Sequence, residues 1–153
     1  MKKYILILCL VITAFAGCKK DKFDSAAQAA KDEAAIQAYL TANPSIQATK
    51  GTNGLYYQIL KEGTGAKPTS TSTVSVNYVG KLLNGNTFDE GNLSNTPLVN
   101  LVPGWGLGLP NVNTGGRILL ILPSALGYGN SSPGAAIPAN SVLVFTIDLL
   151  SFK

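Results

Sequence analysis

At Asn43-Pro44 this chain of 153 residues changes character. Before that point, residues 26–42 are rich in alanine, the best helix former. After it, from Gly54 onward, β-branched and aromatic residues alternate with polar ones, and Gly/Pro turns separate the runs. A residue preceding proline is pushed out of the helical region, so the first element must stop there. One helix followed by several strands with long loops predicts an α+β domain built on an antiparallel sheet. Hydrophobic residues make up 46% and charged residues 13%, too apolar a balance for disorder. The length fits one domain with a tail.

The helix is predicted over Ala26–Ala42 with Ser25 as its N-cap. Ala35, Ile36, Tyr39 and Leu40 form a narrow apolar stripe, and Lys31, Asp32 and Glu33 give mixed charge. The stripe is too slim for a core of its own, so the helix reads as a spacer packed on the following domain or on a twin copy. About five strands are predicted. The first is Leu55–Leu60. The second starts at Val74, with Val74, Val76 and Tyr78 on one face, and runs through Leu83. Asn84-Gly85 signals a hairpin of type I′, since both residues accept positive φ, and Thr87 begins the return strand. Pro97–Val102 reads as short and extended, and Arg117–Leu122 as a compact buried strand closed by Pro123. Ser124–Asn140 is a long loop, and Ser141–Phe152 is read as the longest strand. No internal repeat is visible.

Residues 1–17 read as an address. Met1-Lys2-Lys3 is positive, and the apolar run Tyr4–Ala16 is shorter than the roughly 20 residues of a membrane-spanning helix. It has the length of a signal-peptide h-region. The run ends in Phe15-Ala16-Gly17-Cys18, which resembles a bacterial lipobox. That resemblance implies cleavage before Cys18, lipidation of Cys18, and a tether over 18–24. The chain would then sit in the bacterial cell envelope, on the periplasmic or outer-surface face of a membrane. The plainer alternative is an ordinary cleaved signal with an incidental cysteine. Residues 25–50 follow as helix and linker, and 51–153 as the folded domain. Of 12 basic groups, Lys2 and Lys3 leave with the signal, and the remainder nearly balances 8 acidic groups. No basic stripe for nucleic acid results.

The residue inventory excludes much chemistry. There is no histidine, hence no Ser-His-Asp triad and no His-ligated metal. Cys9 lies in the leader and Cys18 at the lipidation position, leaving no thiol for catalysis. Gly104-Trp105-Gly106-Leu107-Gly108 lacks the Lys-Ser/Thr ending of a phosphate loop, and no GxSxG elbow occurs. Asp89 and Glu90 are adjacent, so a regular strand points them to opposite faces. Aromatic residues beside loops remain: Tyr78, Phe88, Trp105, Tyr128 and Phe145. They make either a plain aromatic core or the walls of an apolar pocket. Trp105 and Tyr128 each stand between glycines, where a backbone can turn sharply, which favours display at a concave rim.

Four segments, in order, carry a resemblance. They are Val76-Asn77-Tyr78-Val79-Gly80 running on to Phe88-Asp89, Val102-Pro103-Gly104-Trp105, Leu122-Pro123 with Leu126-Gly127-Tyr128-Gly129, and Ile137-Pro138-Ala139-Asn140 through Phe145 to Leu150. Together they resemble the FKBP-type peptidyl-prolyl cis-trans isomerases over about residues 54–153. An alanine-rich helix behind a lipobox also resembles secreted lipoprotein members of that family. The resemblance implies a curved antiparallel sheet wrapped around one short helix, with a pocket between them. It implies catalytic roles for Asp89, Tyr128 and Phe88. Substrate contacts fall to Tyr78, Leu98, Leu101, Val102, Trp105, Ile137 and Phe145, with Trp105 as the floor. The Tyr128 hydroxyl and the Val102 N–H would hold substrate carbonyls. It implies no cofactor and no metal, and proline-containing unfolded or exported proteins as partners. After Trp105 comes Gly106-Leu107-Gly108-Leu109-Pro110. Glycine costs a helix about 1 kcal/mol and proline about 3 kcal/mol, so the helix here is expected to be short, shifted or partly unwound. The alternative to turnover is a catalytically weak or inactive proline-binding or chaperone module with the same pocket.

Overall fold

The computed structural model describes residues 24–153. The signal peptide, Cys18 and tether residues 18–23 lie outside the described residues. Helix α1 spans Ser25–Ala42. Its N-cap is Asp24 rather than Ser25: the Asp24 carboxylate accepts from the N–H groups of Ala26 and Ala27, both at 3.0 Å. A negative acceptor also suits the positive end of the helix dipole. At the other end, Asn43 Nδ2 donates to the Tyr39 carbonyl at 2.8 Å.

Among the described residues six strands form one antiparallel sheet. They are β1 (Thr49–Lys50), β2 (Tyr56–Lys61), β3 (Thr73–Leu82), β4 (Thr87–Pro97), β5 (Arg117–Leu122) and β6 (Leu143–Phe152). The sheet order is β1-β2-β5-β6-β3-β4. The strand beyond the five expected is β1, whose two residues are too few to show a period. The longest strand is not β6 but β4, with 11 residues. Its stretch Asp89–Thr96 is polar almost throughout and carries no alternation to mark it. In the hairpin between β3 and β4 only Gly85 has positive φ, so the turn is not type I′, which needs it at both central residues. Nor is Pro97–Val102 extended, because Leu98–Asn100 forms a turn of 3-10 helix.

The sheet is covered on both sides where β5 and β6 pair, and this explains the unbroken apolar run of β5. Ile118, Leu120 and Leu122 enter the main core with Leu143, Phe145, Ile147 and Leu149 of β6. Leu119, Ile121 and Val144 face the other way and pack with Ile36 of α1, which is fully buried. Burying each such side chain stabilises by about 1.5–3 kcal/mol. Helix α1 is therefore docked on the sheet. Glu33 reinforces this by accepting from Tyr56 OH at 2.7 Å and from Lys50 at 2.9 Å.

On the inner face lies α2 (Pro103–Gly108), continued by a 3-10 turn at Leu109–Asn111. It is as short as its glycines and Pro110 require. Those glycines also have a positive role. A Cβ on Gly108 would meet Leu120 side-chain carbons at 2.5 Å, and one on Gly104 would collide with Leu122. Bare backbone lets α2 press directly on β5. Among the described residues no helix is long and apolar enough to cross a membrane.

Candidate functional site

A cavity of about 140 Å³ opens between α2 and the inner faces of β3, β4 and β6. Trp105, on the first turn of α2, is 3% exposed and forms its floor. Four rings meet edge to face in sequence. Tyr78 lies 5.4 Å from Trp105, Trp105 5.3 Å from Phe145, and Phe145 5.6 Å from Phe88. Each such pair contributes about 0.5–1.5 kcal/mol beyond area burial, so the walls hold one another. The indole Nε1 of Trp105 is buried with no hydrogen-bond partner among the described residues.

Gly80 makes this arrangement possible. In β3 it stands opposite Asp89 of β4 and Phe145 of β6. A Cβ there would meet Phe88 Cζ at 2.6 Å and Phe145 Cε1 at 2.8 Å. The neighbouring register shift has a further effect. Gly80 pairs with Asp89, yet Lys81 pairs with Thr87, so Phe88 is the extra residue of a bulge. Consecutive residues of a regular strand face opposite ways, but here Phe88 and Asp89 both line the cavity.

The Tyr78 hydroxyl donates to Asp89 Oδ2 at 2.7 Å. Burial, followed by the bonded carboxylate, pushes the Tyr78 phenol up to about 12. At neutral pH Tyr78 is thus a protonated donor held on a carboxylate at the cavity wall. Leu101 and Val102 form the rim where the 3-10 turn leads into α2. Backbone bonds at this corner run from Leu101 N–H to Leu98 O and from Trp105 N–H to Val102 O. Opposite them Tyr128, 40% exposed, reaches in from the loop between β5 and β6.

The structure therefore gathers Tyr78, Phe88, Asp89, Leu101, Val102, Trp105, Tyr128 and Phe145 around one hollow. Leu98 and Ile137, expected among them, do not line it. Leu98 is 2% exposed because the 3-10 turn folds its side chain into the core, with its N–H on the Ser72 carbonyl. Ile137 is drawn into the same core by the short bridge between Gly134 and Ile137. Leu93 lines the cavity and was missed. It faces Val76 across β3 and β4, and its signal was being the one large apolar residue between Phe88 and Pro97. A larger cavity, about 180 Å³, lies between α1 and the loop after β5 and contains no aromatic ring.

Residues 64–150 match the family model described as FKBP-type peptidyl-prolyl cis-trans isomerase. The chain is 42% identical to the FKBP-type peptidyl-prolyl cis-trans isomerase FkpA of Aeromonas hydrophila over 120 residues, 75% of this chain and 44% of that protein. It is 35% identical to the peptidyl-prolyl cis-trans isomerase Mip of Coxiella burnetii over 122 residues, 76% of this chain and 53% of that protein. The crystal structure of FkpA from Escherichia coli superposes with a TM-score of 0.70 at 36% identity, covering 84% of this chain and 62% of that one. A peptidyl-prolyl cis-trans isomerase from Pseudomonas syringae gives a TM-score of 0.67 at 28% identity, over 86% and 98% of the two chains. The chain spans about half or less of the length of the two curated relatives named here. With the matched segment running from the loop before β3 into β6 and enclosing the whole aromatic hollow, the chain belongs to the FKBP-type peptidyl-prolyl cis-trans isomerase family.

Proposed function

We propose that this chain catalyses cis-trans rotation of Xaa-Pro bonds in exported proteins. The observation that carries the reading is the ring-walled hollow floored by Trp105, with the Tyr78–Asp89 pair on its wall. Amide resonance sets the uncatalysed barrier at about 18–20 kcal/mol. No bond is made or broken in the rotation, so nucleophile, metal and cofactor are unnecessary. The twisted amide has lost its resonance and carries a less polar C–N linkage. An apolar, water-poor hollow favours that state over the planar one, which is the differential binding that catalysis requires. In this reading the pyrrolidine ring stacks on Trp105 between Tyr78 and Phe145, and Phe88 closes the side. The Tyr128 hydroxyl and the Val102 N–H hold the flanking carbonyls. Asp89 fixes Tyr78 and turns its remaining oxygen toward the rotating group.

The test is a protease-coupled or trapped-isomer assay on a Xaa-Pro peptide. A rate above the spontaneous one, falling in both Phe88→Ala and Asp89→Ala, supports the reading. An excess rate that survives both substitutions removes the assignment of the site, and no excess rate leaves a proline-binding module. We further propose that Cys18 carries a lipid that holds the domain at an envelope membrane. Metabolic labelling with a fatty-acid probe should mark the wild-type chain and not Cys18→Ser, and an unlabelled wild-type chain would refute the anchor.

A further inference from the structure

We infer that Asp32 of α1 is a positioning residue for Tyr128, so that the N-terminal helix sets the geometry of the hollow it does not touch. This rests on the isomerase reading above. Asp32 is a carboxylate 3% exposed, one turn before the fully buried Ile36 on the docked face of the helix. It is satisfied from across the molecule. Its Oδ2 accepts from the Ser124 N–H at 2.8 Å and the Ser124 hydroxyl at 2.6 Å, and its Oδ1 accepts from Gln28 Nε2 at 2.7 Å. Ser124 is itself only 2% exposed.

The carbonyl of Ser124 then holds the far side of the turn. It accepts from the N–H groups of Gly127 at 2.9 Å and Gly129 at 2.8 Å, the two residues flanking Tyr128. One residue thus receives the helix carboxylate on its donors and fixes the Tyr128 turn on its acceptor. A charged acceptor strengthens the bonds it receives and polarises those next in line. Tyr128 is exposed, with no side-chain hydrogen bond of its own among the described residues, so its direction comes from its backbone. Substrate-holding groups work only within narrow geometric limits, and small misplacements have large kinetic effects. Glu33, the next residue, ties the same helix to Tyr56 and Lys50 instead and has no link to the turn.

The experiment compares Asp32→Ala, Asp32→Asn, Ser124→Ala and Glu33→Ala in the full chain. Two quantities are read: steady-state kinetics on a Xaa-Pro peptide, and hydrogen exchange at the Gly127 and Gly129 amides. Asp32→Ala should raise KM about five- to tenfold with kcat much less affected, the signature of lost positioning rather than lost chemistry. Exchange at Gly127 and Gly129 should accelerate about tenfold while that of Leu120 stays unchanged. Asp32→Asn should recover most of both, because Gln28 can turn its amide to match the new side chain. Ser124→Ala keeps the N–H bond and should give an intermediate effect even if Asp32→Ala folds poorly. Glu33→Ala should loosen the helix yet leave KM unchanged. Equal kinetic effects of Glu33→Ala and Asp32→Ala would overturn the inference, as would unaltered exchange at both glycines. If the wild-type chain shows no isomerase activity, the functional reading fails separately, and exchange alone decides whether the clamp exists.

Discussion

The Tyr78 hydroxyl and Asp89 Oδ2 are joined at 2.7 Å across β3 and β4, and the two ends of this bond are unequally exposed. Tyr78 is half-buried, whereas Asp89 is open to solvent. Removing Asp89 leaves a half-buried phenol without its partner, and removing the phenol leaves a carboxylate that water readily rehydrates. Asp89→Ala should therefore destabilise by about 0.5–1.5 kcal/mol and Tyr78→Phe by less. Denaturant midpoints of the two variants check the order. In kcat/KM the double variant should lose no more than Asp89→Ala alone, because the two residues act as one unit.

The same bond shapes stability at alkaline pH. The folded Tyr78 phenol titrates at about 12, above the ordinary value of 10.0 in the unfolded chain. Below the unfolded value both states keep the proton, and the contribution is fully present. As pH rises from about 10 to about 12 the unfolded chain sheds the proton first, and that stability is lost. Tyr56, raised by burial and by its bond to Glu33, adds in the same direction. Unfolding of Tyr78→Phe should depend less on pH across that window than unfolding of the wild type. Parallel curves would contradict the assignment.

Acid has the opposite sign at Glu33. Hydrogen bonds from Tyr56 and then Lys50 hold its carboxyl below the ordinary range. A depressed group contributes stability above its unfolded value and loses it as pH falls through the folded one. Below pH about 4.5, Glu33→Gln should therefore lose stability more gently than the wild type. Thermal midpoints measured at steps through that range provide the comparison.

Gly80→Ala places a methyl group against Phe88 and Phe145 at separations real contacts do not show. Overpacking of this kind costs about 1–3 kcal/mol. Here the rings that must move are the walls of the hollow, so quenching of Trp105, the single tryptophan, by a prolyl peptide should weaken as well. Stability lost with undiminished peptide binding would show that the ring arrangement is not what binds.

Ile36→Ala tests the docking of α1. A fully buried isoleucine truncated to alanine costs about 2–5 kcal/mol, depending on how far the site collapses. The exposed outer face of β5 and β6 should then bind a hydrophobic dye. An unchanged dye signal together with an unchanged midpoint would mean the helix is not held there.

Much of this molecule was legible because its signals are local. Alanine content and Pro44 marked α1, alternation marked β3, and glycines around Tyr128 marked an exposed edge of the hollow, whereas those around Trp105, read as a rim signal, belong to its buried floor. Of the eight expected residues that line the hollow, all but Leu101 stand in the four motif segments. What escaped depends on tertiary geometry. Nothing between Asp89 and Thr96 alternates, so β4 and its pocket residue Leu93 were hidden. The bulge that turns Phe88 and Asp89 to one side has no residue signature. Leu98 and Ile137 face the core rather than the hollow, through a turn of 3-10 helix and a single bridge that no residue pattern marks. Asp32 read only as part of the mixed charge on α1, since its partner Ser124 lies 92 positions away.

The cavity is unevenly mounted. Its floor and one wall, Trp105 and Phe145, rest on elements packed from several directions, whereas Phe88, Asp89 and Leu93 ride on β4, the last strand of the sheet, hydrogen-bonded along one flank only. A strand tied on a single side opens at smaller free-energy cost than one tied on both. The hollow is in effect a vice with a fixed jaw and a yielding one. Under the proposed function, residues of different bulk beside the prolyl ring would be met by the yielding jaw and the ring itself by the fixed one.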